Sequence, residues 1–265
     1  MRALFGYIGR GSINFLRHLS SIFILFIQTL YWIFIAPFKK RAFRPRHLFD
    51  QMVKVGVGSV PIVFLVSIFM GMVLAMQTAY QLKKLGALMY VGSLVAVSVT
   101  REIGPLLTAI VVAGRVGAAM AAELGTMKVS EEVDALETMG LNPVQFLIAP
   151  RLLAIFIMLP CLTIFADLMG MVGGYIIGVF NLGIRSDLYI HKTIDALALK
   201  DIYTGLIKSF FFAGIIGMIG CYEGFIVKGG AEGVGKATTI SVVNSIILVI
   251  AADCFFTALF YFVFP

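Results

Sequence analysis

The chain has 265 residues, of which 60% are apolar and only 13% are charged, and its mean hydropathy is +0.99. In soluble domains roughly a quarter of all residues are charged. This composition therefore excludes a water-soluble fold and predicts that lipid covers much of the surface. The formal net charge is +7, yet about five or six spans of ~20 residues leave no room for a nucleic-acid-binding module, and nucleic acid is not expected as a partner.

Residues 1–54 form a basic N-terminal segment that contains one apolar stretch, about Ile22–Phe38. This stretch is short for a span and has cations on both sides, so crossing the bilayer would separate them, which the positive-inside tendency disfavours. We predict an interfacial helix in the inner leaflet; a sixth span is the alternative. The cations of the segment are Arg2, Arg10, Arg17, Lys39, Lys40, Arg41, Arg44, Arg46 and Lys54.

Residues 55–265 contain five longer apolar segments, and we predict that each is a membrane-spanning helix. With a cytoplasmic N-terminus, thirteen Lys and Arg residues lie on the cytoplasmic side, nine of them in residues 1–54, and five lie on the external side. This balance supports the orientation, and the C-terminus would be external. The predicted fold is therefore all-α and polytopic. The five segments cover about Val55–Gln81, Tyr90–Ala122, Leu152–Phe180, Ile202–Val227 and Ile240–Phe264.

Several ionisable residues are embedded in these segments. An ion in hydrocarbon costs at least ~2.5–3.5 kcal/mol, so each should face protein or a wet cavity. Four of them fall between the midplane and the external side and predict a polar patch in an apolar cavity; a purely structural set of ion pairs between helices is the equal alternative. For Arg115 and Asp167 we favour the structural role. The four are Arg101, Glu102, Lys208 and Asp253.

The stretch Glu123–Pro150 is the only long polar interruption between central spans. Ser130 begins it like a capped helix, and Gly140 with Pro143 would end it. We predict a short amphipathic cytoplasmic helix within residues 123–143 that docks in a partner's groove; an ordinary surface helix is the alternative. Its acidic residues are Glu131, Glu132, Asp134 and Glu137, and its apolar stripe would be Val133, Leu136 and Met139.

Two glycine patterns call for an interpretation. Gly170, Gly174 and Gly178 share one helix face, and small residues at this spacing let helices approach closely in lipid; we favour packing within one chain over a seam between two copies.

Gly230–Lys236 nearly matches a phosphate-binding loop, but Ala237 replaces the Ser or Thr that would hold Mg²⁺, so we predict a cytoplasmic turn. Neither the cysteines nor the histidines have metal-ligand spacing, and no cofactor is expected.

Four blocks of sequence resemble the MlaE (YrbE) family of permeases, which serve MCE-protein lipid transporters. The resemblance covers nearly the whole chain, and the long central block is specific. The blocks are GMVLAMQ at 71–77, TREIGPLLTAIVVAGRVGAAMAAELGTMKVSEEVDALETMGLNP at 100–143, APRLLA at 149–154 and GVGKATT at 233–239.

This resemblance implies five spans with an N-terminal membrane-surface helix, in a bacterial inner-membrane protein with a periplasmic C-terminus. It further implies a non-catalytic permease of an ABC transporter that moves phospholipid between inner and outer membranes and so serves outer-membrane lipid asymmetry. The implied partners are a second copy, a cytoplasmic ATPase dimer and a periplasmic MCE-domain protein, with room for a small regulatory subunit. Substrate-pocket residues carry over to Gln77, Arg101, Glu102, Lys208 and Asp253, and ATPase coupling to Glu131, Glu132, Asp134, Glu137 and Gly140.

Two other functions are weighed against this one. An ion-coupled secondary transporter would use Asp253 and Glu102 as titrating groups, but the sequence shows no inverted repeat of the kind typical of that class. A membrane-embedded lipid enzyme would need clustered acidic metal ligands or a nucleophile with its base, and neither pattern is present. The sequence does not indicate the direction of transport or the class of lipid.

Overall fold

The computed structural model describes residues 20, 22–33 and 45–263, and these residues form helices joined by short connections, without a strand. Five helices are long and apolar enough to cross a membrane, so the predicted all-α, polytopic class and the number of spans are confirmed. The helices are α1 (Ile22–Ile33), α2 (Pro45–Val55), α3 (Val60–Lys84), α4 (Leu88–Val129), α5 (Glu132–Thr138), α6 (Val144–Asn181), α7 (Ser186–Ala196), α8 (Leu199–Phe225) and α9 (Gly230–Val263).

The spanning helices are longer than the apolar segments that predicted them. α4 continues to Val129 instead of ending near Ala122, and α6 begins at Val144 instead of Leu152. Hydropathy marks only the part of a helix that lies in hydrocarbon, whereas intrahelical hydrogen bonds satisfy the backbone equally well beyond it. The polar interruption between α4 and α6 is therefore shorter than the predicted 123–150.

α1 and α2 precede the first span. The described part of the 22–38 segment, α1, is about 18 Å long at 1.5 Å per residue, too short for a hydrocarbon core of ~30 Å. Residues 34–38 lie outside the described part of the chain. α2 packs against α6 and is followed by a tight turn at Val57–Ser59 that leads into α3. The predicted boundary between residues 54 and 55 falls at the end of α2 and stays a prediction.

The connection 181–201 contains a helix, α7, that hydropathy did not predict. Its anchor is Tyr189, which is 3% exposed and lies edge-on to Tyr175 at 5.7 Å between ring centroids. Gly178 makes room for the Tyr189 ring, since a Cβ there would collide with it, and a Cβ at Gly92 would crowd the same ring and collide with Thr193 Oγ1. Burial raises the pKa of the Tyr189 phenol to about 12, so this side chain stays neutral and holds α7 against α4.

Glycines set the distance between the spans. A Cβ at Gly71 of α3 would collide with the carbonyl of Gly170 on α6, and a Cβ at Gly173 would collide with the carbonyl of Ile68. Gly220 and Gly224 of α8 similarly face the backbone of α4. The glycine faces therefore pack within one chain, as predicted, because backbone contact replaces the missing hydrophobic drive in lipid.

α4 is the central helix and one stripe of it is uncovered. It contacts α3, α6, α8 and α9, whereas α3 and α9 do not pack against each other in the described structure. In the most apolar part of α4, α6 and α8, about half of the residues are buried. In the spans that contain α3 and α9, the buried share is 22% and 17%. The stripe between α3 and α9 is exposed at Leu94 and, further along, at Gly114, Arg115 and Ala119, and the residues 95–113 between them are buried or half-buried.

The segment that resembles a phosphate-binding loop is helical. Residues 230–236 form the first turns of α9, so the predicted turn at this place is wrong. Lys236 Nζ lies 2.6 Å from Glu232 Oε1, one turn away on the same helix. The backbone N–H groups of a helix are directed along its axis, which is not the concave arrangement that cradles phosphates.

Candidate functional site

The site begins with a wide turn in α4. Residues Val99–Ile103 form a π-helical turn directly before Pro105, and the Gly104 N–H donates to the Val99 carbonyl five residues back. Proline has no N–H to donate, and its ring clashes with the carbonyl four residues earlier in an α-helix. The wider turn relieves that clash and carries both Arg101 and Glu102. Such turns are common at functional sites.

Lys208 of α8 ties three spans together through its ammonium group. Nζ lies 2.5 Å from Glu102 Oε2 on α4, 2.9 Å from Asp253 Oδ1 on α9 and 2.8 Å from Thr257 Oγ1. The Thr257 hydroxyl lies 3.1 Å from both oxygens of Glu102 and can donate to either. Two of the three N–H donors of the ammonium form hydrogen bonds, to Glu102 and to Thr257, and Asp253 adds an ion-pair contact.

Burial divides this cluster into a sealed part and an open part. The side chain of Lys208 is 2% exposed and that of Asp253 14%, whereas Glu102 and Arg101 are 37% and 36% exposed. Thr257 is also exposed. A ligand on the open stripe of α4 would therefore reach Glu102, Thr257 and Arg101, while Lys208 holds the helices behind them.

Arg101 and Gln77 occupy different places from the rest of the predicted pocket. Arg101 Nη1 lies 3.7 Å from Asp201 Oδ1, and Asp201 Oδ2 also accepts from the Ala198 N–H at the start of α8. Arg101 and Glu102 nevertheless line one small cavity. Gln77 is exposed on α3, and no described hydrogen bond or ion pair joins it to the cluster. The structure thus brings four of the five predicted residues together within one chain.

Sequence reasoning missed Thr257 and Asp201. Thr257 lies one helical turn after Asp253 on α9, so the i, i+4 spacing was a signal that could have placed it on the same face. Asp201 stands at the polar start of the fourth span and offered no signal beyond its position near a helix N-terminus. Both are recognised only when α4 is packed against α8 and α9.

Replacing Thr257 with valine should weaken the cluster without changing its shape. The variant removes one acceptor from Lys208 and the donor to Glu102. We expect a loss of about 1–2 kcal/mol, seen as a melting temperature lower by a few degrees in detergent. Thr257→Ser keeps the hydroxyl and should retain the wild-type value; equal melting of Thr257→Val and Thr257→Ser would contradict the hydrogen-bonding role.

The second candidate site is α5, which leads from α4 towards α6. Ser130 does not cap it: its hydroxyl lies 3.4 Å from the Met127 carbonyl and 3.0 Å from Glu132 Oε1 and can donate to either, and α5 begins only at Glu132. Glu131 between them is left-handed, with φ 62°. Gly140, with φ 74°, ends α5 as predicted, and the Leu141 N–H returns to the Leu136 carbonyl at 3.0 Å, which is the Schellman pattern.

The predicted apolar stripe of α5 is divided between two faces. Val133 is 2% exposed and Leu136 packs beside it on the bundle core, whereas Met139 is 71% exposed. The stripe was wrong as a docking surface, because two of its three members hold α5 to the bundle. The outer face instead offers Met139 and Leu141 next to exposed carboxylates. These carboxylates are Glu131, Glu132, Asp134 and Glu137, of which Asp134 pairs with Lys128 at 2.6 Å.

The other embedded charges lie apart from the cluster. Asp167 of α6 packs against Gly104, where a Cβ would collide with its carboxyl group. Arg115 lies at the opposite half of α4, where Nη1 donates to Ser59 Oγ at 2.8 Å and to the Lys54 carbonyl at 3.2 Å. Among the described residues, no group of three or more His, Cys, Asp or Glu side chains is placed to hold a metal ion.

The sequence is similar to a known family of permeases. The sequence model described as Permease MlaE matches residues 48–259. A probable ABC transporter permease of Rickettsia typhi is 42% identical over 211 residues, which cover 80% of this chain and 82% of the relative. A probable ABC transporter permease of Synechocystis is 38% identical over 216 residues, 82% of each chain. The chloroplastic protein TRIGALACTOSYLDIACYLGLYCEROL 1 of Arabidopsis thaliana is 37% identical over 216 residues, 82% of this chain and 62% of that protein.

Proposed function

The chain belongs to the MlaE permease family and is a multi-pass ABC transporter permease, and from this premise we propose that it moves phospholipids between the inner and outer membranes of a bacterial envelope. The observation that carries the proposal is the polar cluster of an otherwise apolar bundle, in which Glu102, Arg101 and Thr257 are open to a ligand and Lys208 and Asp253 lie behind them. A lipid has one charged end and two apolar chains, so it needs both kinds of wall. One relative is named for a galactosyl-diacylglycerol, which supports a lipid cargo.

The pocket in this proposal lies between two copies of the chain. Each copy leaves the stripe of α4 uncovered between α3 and α9, and a second copy placed over it would enclose a chamber. Gln77 is exposed on α3 and would line the same chamber from the flank. The headgroup would meet Glu102 and Arg101, while the chains lie along apolar side chains.

The proposed partners bind at the two ends of the bundle. An ATPase in the cytoplasm would bind the outer face of α5, where Met139 and Leu141 stand among Glu131, Glu132 and Glu137. This orientation follows the basic residues near α2 and places the N-terminus in the cytoplasm and the C-terminus in the periplasm. An MCE-domain protein would bind at the α7 end. The chain itself catalyses no reaction in this scheme; residues 1–54 serve as its membrane-surface segment.

The test is purification of the complex in mild detergent, followed by reconstitution. We expect a P-loop ATPase and an MCE protein at stoichiometric amounts, together with phospholipid, and lipid movement that requires ATP. Arg101→Ala and Glu102→Ala should each reduce that movement, with assembly intact. If the purified chain alone moved lipid in response to an ion gradient, the secondary-transporter alternative would replace this proposal. Normal lipid movement by both assembled variants would reject the pocket.

A further inference from the structure

A cleft of about 500 Å³ opens at the half of the bundle away from the Lys208 cluster. It lies between the α2–α3 junction and the uncovered stripe of α4. One wall is apolar and consists of Val57, Val116, Ala119 and Met120. The polar groups that line it are Gln51, Lys54, Arg115 and Glu123, none of which belongs to the site described above.

Arg115 reaches into this cleft with unused donors. Its contacts to Ser59 Oγ and the Lys54 carbonyl both engage Nη1. A guanidinium has five N–H donors, and in the described part of the chain no hydrogen bond engages Nη2 or Nε. The guanidinium packs against Gly58, where a Cβ would collide with Nη2. The glycine thus lets the planar group sit at the cleft wall with one edge free.

The charge around the cleft is positive. Lys54 Nζ lies 3.3 Å from Glu123 Oε1, but the other oxygen of Glu123 accepts from Arg151 Nη2 at 3.0 Å. One carboxylate is thereby shared by two cations, and Arg115 has no carboxylate within ion-pair distance among the described residues. Asp50, the single acid of α2, does not line the cleft. Two cations, Lys54 and Arg115, line the cleft with one carboxylate, and that carboxylate also pairs with Arg151. An anionic group is therefore the complement that is missing.

The position along α4 indicates what that anionic group belongs to. α4 has 42 residues and is about 63 Å long, so Arg115 lies ~10 Å from its midpoint and Glu123 ~22 Å. The half-thickness of the hydrocarbon is ~15 Å. The cleft therefore crosses the boundary between lipid chains and headgroups, and an unpaired arginine at this depth is costly unless an anion meets it.

We propose that this cleft binds the phosphate group of a membrane phospholipid. The phosphate lies between the free edge of Arg115 and Lys54, and a chain lies along Val57, Val116, Ala119 and Met120. Guanidinium and phosphate match in a planar, two-bond geometry. Binding at this cleft does not require transport, because phospholipid is present in both leaflets of the membrane.

The experiment is lipid titration of the purified full-length chain, read by native mass spectrometry in detergent. The probes are phosphatidylglycerol, a diacylglycerol with the same chains but no phosphate, and inorganic phosphate. We expect Arg115→Gln to weaken the tightest phosphatidylglycerol binding by roughly 10-fold or more, as for loss of a charged hydrogen bond, and to leave diacylglycerol unaffected. Lys54→Gln should weaken it less, because Glu123 already pairs with Lys54.

Three further variants separate ligand binding from structure. Gly58→Ala keeps every charge but displaces the guanidinium, so it should also weaken phosphatidylglycerol binding, and it decides the matter if Arg115→Gln fails to fold. Ser59→Ala removes a structural bond of Arg115 and should leave binding within about twofold, since Nη2 and Nε are untouched. Lys236→Gln, a cation at the same end outside the cleft, should have no effect.

Three results would overturn the proposal. One is wild-type phosphatidylglycerol affinity in folded Arg115→Gln or Gly58→Ala. Another is inorganic phosphate that binds as tightly as the lipid and displaces it, which would assign the cleft to free phosphate. The third is that the wild-type chain forms a two-copy assembly in the native mass spectra and Arg115→Gln dissociates it, which would assign the cleft to an interface between copies.

Discussion

Replacing Lys208 with methionine is expected to abolish lipid movement and to destabilise the bundle by about 3 kcal/mol. Removing one partner from a buried ion pair costs ~3–5 kcal/mol because the remaining charge is left unpaired. The lower end applies because Glu102 is 37% exposed and can be solvated, whereas Asp253 is only 14% exposed. Methionine fills a similar volume, so the loss reports on charge and hydrogen bonding and not on a cavity.

A triple variant separates the structural effect from the functional one. Lys208→Met with Glu102→Gln and Asp253→Asn removes all three charges, and its melting temperature should return close to that of the wild type, because no unpaired ion remains. Lipid movement, measured in proteoliposomes with the partner ATPase, should stay absent. Lys200→Met, an exposed lysine on the same helix, is the control. Normal lipid movement in the triple variant would show that the cluster is only a scaffold.

Replacing Met139 with aspartate is expected to uncouple the chain from its ATPase without unfolding it. Met139 is 71% exposed at the end of α5, so the substitution removes no core contact. An apolar anchor at the centre of an interface contributes ~2 kcal/mol or more, and the added carboxylate lies beside Glu137. We expect the affinity for the ATPase to fall roughly 30-fold and lipid-stimulated ATP hydrolysis to be lost.

The matched control for Met139 lies at the other end of the bundle. Leu199 is 72% exposed at the start of α8, and Leu199→Asp should leave ATPase binding unchanged. Binding is measured by titrating detergent-solubilised chain against the purified ATPase, with the melting temperature of each variant recorded in parallel. If Met139→Asp bound the ATPase with wild-type affinity, the ATPase contact would not lie on the outer face of α5.

The burial of Lys208 limits what a lipid can contact in the proposed mechanism. The side chain of Lys208 is only 2% exposed, and Glu102, Asp253 and Thr257 surround its ammonium group, so a headgroup does not reach it in this structure. A lipid reaches Lys208 only if α9 moves away from α8. Movement of α5 by the ATPase is the proposed cause, and such a cycle requires that the two states bind lipid with different affinities.

Much of the fold was predictable from local pattern. Apolar segments long enough to cross a bilayer gave the number of spans, because lipid selects for that length and composition. Gly140 ended α5 as predicted, since a left-handed residue at a helix end favours glycine. The embedded Glu102, Lys208 and Asp253 were recognised from the sequence alone, because ions in hydrocarbon are costly and need a reason.

The sequence by itself determined the class, the spans and the identity of the embedded charges. Only the tertiary structure decided which of them meet: Glu102 and Lys208 are 106 residues apart, and Glu102 and Thr257 are 155 apart. It also decided that Gln77 lies apart from them within one chain, and that Val133 faces inward while Met139 faces outward. The rotation of each helix about its axis depends on contacts with helices distant in sequence, such as Gly205 against the Thr100 carbonyl, and no local period contains that information.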